Sequence, residues 1–417
     1  MRKQWGVLFL TLCLWGMSAG AAVQAAKPKV VIGTYSEPRY KIMTEMLMPE
    51  WRKDYPDIEI EVHMYPDFFN KLLVLIATDA APDIVDTAGT FLFGHVVRDG
   101  AVDLAPYIEA DPTFRADDFF PHTWEEVRYP HFEGKGIYAL PYDWVGALMY
   151  YNISHFDRRG VPHPGPNWTW QDLREHAKKL VYDENGDGIV DVWGTVVDST
   201  HLIFDPAVRS YGGAMLNPDR TAAAFDSPQA AQALELLTAI VLEDGSAPRP
   251  GVTARFEAGK SAITIMGSWE ATKFPDPAGF DWATQIAPGG PVTRDIYGGS
   301  NSWEVMRRPS QDMDAVWTVL KELVSLRTVR AFTTDVEREL PSRRSYVSKW
   351  PQTQLIQTLA ASSAYMRNAD FSVDWTPWQV AKRNEINPVL SGARSIAEGL
   401  ARAAQAVNNI LDAAYRL

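Results

Sequence analysis

Cysteine is almost missing from this 417-residue chain, which holds one, Cys13. It falls inside an apolar leader, so the remainder is expected to have neither disulfides nor thiol chemistry. Long apolar runs are missing as well. The best stretch, residues 7–17, is shorter than the about 18 residues a membrane-spanning helix needs, and no later stretch approaches that length. Positive charge is in deficit, with 40 Lys and Arg against 52 Asp and Glu, a formal charge of −12. Such a surface repels phosphate backbones and anionic lipid, so nucleic acid is not an expected partner. Catalytic signatures are scarce. No phosphate loop, His-Glu-x-x-His or Gly-x-Ser-x-Gly occurs, and the eight histidines show no metal-ligand spacing. Gly134-Lys-Gly136-Ile-Tyr-Ala139 matches a dinucleotide fingerprint, but a strand-like stretch comes next where that fingerprint needs a helix.

What is present is ordinary soluble composition, 46% apolar and 22% charged, with an unusual load of 15 Trp, 16 Tyr and 17 Phe. So many indoles suggest flat surfaces for stacking as well as core. The length exceeds the roughly 250–300 residues at which a single core stops growing, so two domains are expected. Met1–Ala26 reads as a signal peptide: Arg2 and Lys3, then the apolar stretch, then Val23-Gln24-Ala25 as a cleavage signature. Leu12 before Cys13, and the early position of that cysteine, argue against a lipid anchor. The mature chain is expected to begin near Lys27 and to reside in a bacterial periplasm.

The periodicity is that of an α/β protein. Residues 29–35 form a β-branched run, and Ile58, Ile60, Val62 and Met64 alternate with polar residues. Residues 84–87 form a third short run. Helical spacing lies between them, at Ile42, Met43, Met46 and Leu47 and at Phe69, Leu72, Leu73 and Ile76. This order predicts a mostly parallel sheet, with the ligand crevice beyond the carboxyl ends of its strands, at residues 36–39 and 87–90. Farther on, Thr169 and Asp172 form a capping-box pattern, and Ser227-Pro228 opens another helix. Ile396, Leu400, Ala403, Val407 and Ile410 mark a terminal one.

One segment resembles a calcium loop. Asp183, Asn185, Asp187 and Asp191 supply oxygens at positions 1, 3, 5 and 9, with glycine at position 6, but Gly194 stands where a bidentate Glu is expected. An Asp/Asn/Gly-rich turn bonded to its own backbone explains the same residues. Any calcium there would be structural, and no cofactor is required.

Taken together, the segments resemble the family 1 extracellular solute-binding proteins, the sugar-binding components of bacterial ABC importers. The resemblance rests on residues 51–62, Ala81-Pro-Asp83-Ile-Val85 and Gly136-Ile-Tyr-Ala-Leu-Pro141 with Met149-Tyr-Tyr-Asn152. It continues through Thr169-Trp-Gln-Asp-Leu173, Tyr211-Gly-Gly213, Phe225-Asp-Ser-Pro228 and Phe256-Glu-Ala-Gly-Lys260. Met266-Gly-Ser-Trp269, Gly298-Gly-Ser300 and Leu340-Pro-Ser-Arg343 complete it, in the family's order. It implies a type II periplasmic-binding-protein fold, two lobes each built on a mostly parallel sheet flanked by helices. Three hinge crossings are implied, near 141–148, 263–266 and 302–306. Residues 27–142 with 264–303 would form one lobe, and 143–263 with 304–417 the other.

The resemblance also places a ligand cleft. Its aromatic candidates are Trp144, Trp269, Trp303, Trp375 and Trp378. The polar ones are Glu37, Arg39, Thr87, Thr90, Asp143, Glu270, Asn301 and Arg343, with His201 and Asp205 less central. Indole planes suit the C–H face of a sugar, and charged or amide groups suit its hydroxyl rim. Glu37-Pro38-Arg39 is a departure, placing a candidate ion pair where many relatives carry small or aromatic residues. The implied function is capture of a carbohydrate, an oligosaccharide or sugar derivative, and its delivery by a monomer to ABC permease subunits. The alternatives are a receptor for a small charged ligand such as a glycerol phosphodiester, and a secreted glycoside hydrolase.

Overall fold

The computed structural model describes residues 26–65, 68–128, 136–274, 279–333, 339–368, 370, 372–373 and 375–416. The expected leader lies outside them except for Ala26. Among the described residues there are eleven strands: β1 Lys29–Thr34, β2 Glu59–Met64, β3 Ile84–Ala88, β4 Ala139–Pro141, β5 Asp143–Asn152 and β6 Ile263–Gly267, then β7 Trp282–Gln285, β8 Ile296–Gly299, β9 Asn301–Val305, β10 Leu340–Pro341 and β11 Met366–Arg367. They make two sheets. The first has the order β2-β1-β3-β9-β4; the second is built on β5, which pairs with β6, β7, β8 and β10, with β11 beyond β8.

The three runs at the start of the chain form β1, β2 and β3, and these pair in parallel as their alternation and spacing predict. The rest is mixed rather than mostly parallel. β9 runs antiparallel to β3 and β4, and all four partners of β5 are antiparallel to it. A single residue joins β4 to β5 and another joins β8 to β9. These two links carry the chain from one sheet to the other.

β5 is buried along nearly its whole length, and its two faces serve different cores. Ala147 and Met149 pack with Leu173, Leu234 and Val407, while Leu148 and Tyr150 pack with Val30 and Ile32, the period of two that a pleat imposes. Around the second sheet the expected helix starts are present. Thr169 and Asp172 close a reciprocal capping box on Trp170–Leu180, and Ser227 caps Pro228–Leu242. Ser395 caps Ile396–Ala414.

The chain passes from the first sheet to the second at Tyr142, returns at Ser300, and pairs again with β5 at Leu340. Tyr142 lies within the stretch expected for the first passage, and Ser300 lies two residues before the stretch expected for the third. No passage occurs at 263–266: β6 pairs with β5 from Ala147↔Gly267 to Tyr151↔Ile263. Consequently β6, β7 and β8 belong with the second sheet. Residues 304–333 belong with the first, where Val305, Val316, Trp317 and Leu320 share a core with Val30 and Ile32. A strand's apolar run fixes its pleat but not its partner, which is why the sequence misassigned both segments.

Candidate functional site

A cavity of about 390 Å³ opens between the two sheets. The first sheet contributes residues just past the carboxyl ends of its parallel strands: Tyr35, Ser36 and Arg39 after β1, and Gly89, Thr90 and Phe91 after β3. That is where the strand order placed a crevice. The second sheet contributes Trp269 just after β6, Tyr297 and Gly299 on β8, His201, and Trp375 at the start of the helix Trp375–Leu390.

The aromatic groups form a continuous wall. Trp269 meets Tyr297 edge-on at 6.2 Å and 83°. His201 lies edge-on to both Tyr297, at 4.6 Å, and Trp375, at 5.0 Å. Phe91 reaches Trp375 from the other sheet, at 6.0 Å and 79°. Edge-to-face packing keeps each ring's plane fixed without covering all of it. Burial lowers the His201 pKa to about 4, so this ring is neutral at pH 7.

Opposite the wall sits an ionic cluster. Buried Arg39 reaches Asp86 at 3.4 Å, Asp143 at 3.3 Å and Glu339 at 3.1 Å, and lies over the Tyr142 ring. Asp86 also accepts from Thr34 and Tyr142, and Asp143 from both nitrogens of Asn301. Three carboxyls around one guanidinium are over-supplied with negative charge. Burial, and then the neighbouring Glu339, push the Asp143 pKa well above the ordinary carboxylate range. The cluster touches all three passages between the sheets: Asp143 comes directly after Tyr142, Asn301 directly after Ser300, and Glu339 precedes β10.

A second buried acid stands apart. Glu126, the last residue of the helix Pro121–Glu126, accepts at Oε2 from the Ser300 backbone N–H and hydroxyl, both at 2.6 Å. Its Oε1 lies against Gly89 and Gly299, where an added Cβ would come within 2.3 and 3.1 Å of it. Side chains at those two positions would fill the space the carboxyl occupies. Burial raises its pKa to about 8, only partly offset by Ser300.

Of the residues singled out in the sequence, Arg39, Thr90, Trp269, Glu270, Asn301, Trp375 and the less central His201 line the cavity. Asp143 stands behind that lining and holds Arg39 and Asn301 in place. The others lie elsewhere. Glu37 is exposed and pairs with Lys41 rather than with Arg39. Thr87 is buried within β3. Trp144 (2% exposed) donates to the Met366 sulfur, Trp303 (0%) packs on Tyr142 and Phe332, and Trp378 (0%) lies in the helical core. Arg343 sits 4.0 Å over the Phe119 ring and bonds the Arg115 carbonyl, away from the cavity. Asp205 is taken up by Lys382 and Gln379. The sequence missed Tyr35, Phe91, Glu126, Tyr297 and Glu339. Only Tyr35 carried a signal, since it comes straight after the first strand.

In the Asp183–Asp191 loop the side chains serve the loop's own backbone. Asp183 accepts from the N–H groups of Asn185, Gly186 and Gly188, Asn185 from Asp187, and Asp187 from Ile189. Asp191 accepts from Glu184 and faces Lys260 at 3.6 Å.

Two mixed α/β units, three passages between them and a cavity walled by both define a two-lobed solute-binding protein of the type II periplasmic kind. The chain belongs to the bacterial extracellular solute-binding protein family, whose model matches residues 33–326. An ABC substrate-binding protein of Listeria monocytogenes, solved in complex with cycloalternan, superposes with a TM-score of 0.79 at 24% identity, over 93% of this chain and 99% of that one. A cyclic α-maltosyl-1,6-maltose binding protein of Arthrobacter globiformis gives 0.77 at 20% identity, over 93% and 100%. A binding protein of Brucella abortus (strain 2308) is 25% identical over 382 residues, 88% of this chain and 89% of its own. Among the described residues no helix is long and apolar enough to cross a membrane.

Proposed function

We propose that this protein is the periplasmic substrate-binding component of an ABC importer, and that it captures a carbohydrate between its lobes for delivery to permease subunits. The ligand is an oligosaccharide or sugar derivative, no bond is made or broken, no cofactor is required, and the protein acts as a monomer. The observation that carries this reading is the cavity itself: an indole and phenol wall from one sheet facing hydroxyl, amide and guanidinium groups from the other. A sugar has an apolar C–H face and a polar rim, and this arrangement suits both. The ligands in the names of the Listeria and Arthrobacter proteins, both saccharides, agree with it.

The charged-ligand alternative is weaker. Both cations at the cavity, Arg39 and Lys273, already hold carboxylate partners, and Arg343 lies outside it. An anionic ligand would have to displace one of those pairs. The test is a thermal-shift screen against glucose, maltose, maltotriose, maltotetraose and glycerophosphocholine, with chromatography of the recovered ligand. A saccharide is expected to raise the melting temperature and to be recovered intact. No shift with any saccharide sinks the carbohydrate reading, and cleaved product revives the hydrolase.

A further inference from the structure

We propose that Glu126 determines ligand specificity as a neutral carboxylic acid, donating its O–H to an oxygen acceptor of the captured solute, a hydroxyl, ring or glycosidic oxygen. This rests on the carbohydrate reading and names which kind of atom must face one point of the cavity.

Three observations converge. First, orientation: the Ser300 N–H and O–H both donate to Oε2, so the proton of a neutral Glu126 belongs on Oε1. Second, placement: Oε1 lies between Gly89 and Gly299, both of which line the cavity. Third, isolation. Among the described residues Glu126 makes no ion pair, and the ionisable groups along its segment and across the cavity are engaged elsewhere or uncharged. On its own segment Arg128 pairs with Glu125 at 3.1 Å, and the His122 ring stacks on Phe120. From β8 comes Tyr297, a neutral phenol whose pKa burial and Glu126 itself push up. Elsewhere on the cavity Arg39 is held by three carboxyls, Lys273 by Glu270, and His201 is uncharged at pH 7.

An isolated buried carboxyl takes up a proton rather than stay charged. With its titration near pH 8, the donor form dominates at pH 6 and falls to about one-eleventh at pH 9. If only that form binds, apparent affinity falls with it. The sign is opposite for a ligand presenting an ammonium group at this point, which would favour the carboxylate and bind more tightly as Glu126 ionises.

The experiment uses the intact protein, with E126Q and E126L, and titrates maltotriose calorimetrically from pH 6 to 9. Each protein's melting temperature is recorded at every pH to confirm folding. Wild-type affinity is expected to fall about tenfold across that range. E126Q keeps an N–H donor there, so its pH 6 to pH 9 ratio is expected to stay within about twofold, while E126L binds about tenfold more weakly at pH 6. Difference infrared spectra between pH 6 and 9 should show a carboxylic acid band that E126Q lacks. A flat wild-type profile, a rising one, or an E126Q profile that parallels wild type overturns the proposal. A missing acid band at pH 6 overturns it without any ligand, which separates its failure from failure of the carbohydrate reading.

Discussion

Two sets of tryptophans look alike in the sequence and differ in the structure. Trp269 and Trp375 are half-buried and present part of a ring to the cavity; Trp144, Trp303 and Trp378 are enclosed. Trp375 and Trp378 make the contrast sharpest, because they stand three residues apart on one helix. The first touches Phe91 and His201 at the cavity, and the second lies among Phe204, Lys382 and the core of the second sheet. The edge of the cavity runs between them. An indole's role is therefore set by which neighbour covers its ring, and that neighbour is distant in the chain.

The largest test of this division is Trp303→Ala. Removing a fully enclosed indole should cost about 3–5 kcal/mol of stability, read as a lower melting temperature or denaturation midpoint. Maltotriose affinity of the folded fraction should change far less. Next is Trp269→Ala, for which the order reverses: affinity should fall about tenfold, near 1.4 kcal/mol, with stability lost by less than about 1 kcal/mol. If Trp303→Ala spares stability but abolishes capture, the two sets have been confused. Arg343→Ala sharpens the line on the polar side. Losing its stacking on Phe119 should cost about 1 kcal/mol of stability with affinity unchanged, since this guanidinium faces aromatic rings away from the cavity. The smallest effect is at the Asp183–Asp191 loop. Its oxygens already accept from its own backbone, so a chelator should leave the melting temperature unchanged, whereas a drop reversed by calcium would establish a bound ion.

Much of the first sheet was legible because its signals are local. Alternation in residues 58–64 and the β-branched run at 29–35 need only neighbouring residues to be read, and so do the caps at Thr169 and Ser227. The crevice came from strand order. The second sheet was not legible, since β5 collects partners from positions as far apart as Ile263 and Leu340. The site divides in the same way. Arg39, Trp269 and Asn301 stand at strand ends and were anticipated. Glu126 was not, because neither its burial nor its anchoring by Ser300, 174 residues away, leaves a local mark in the sequence. Glu339 reaches Arg39 across 300 residues, and no local pattern marks either partner.

The Arg39 cluster ties together Asp143, Asn301 and Glu339, which stand beside the passages between the sheets, so a swing of one sheet against the other about those passages would displace it least. Displacement then grows with lever arm: small beside Asn301, largest at the outer edges. A protein partner gripping those edges would sense a much amplified copy of whatever happens at the pivot.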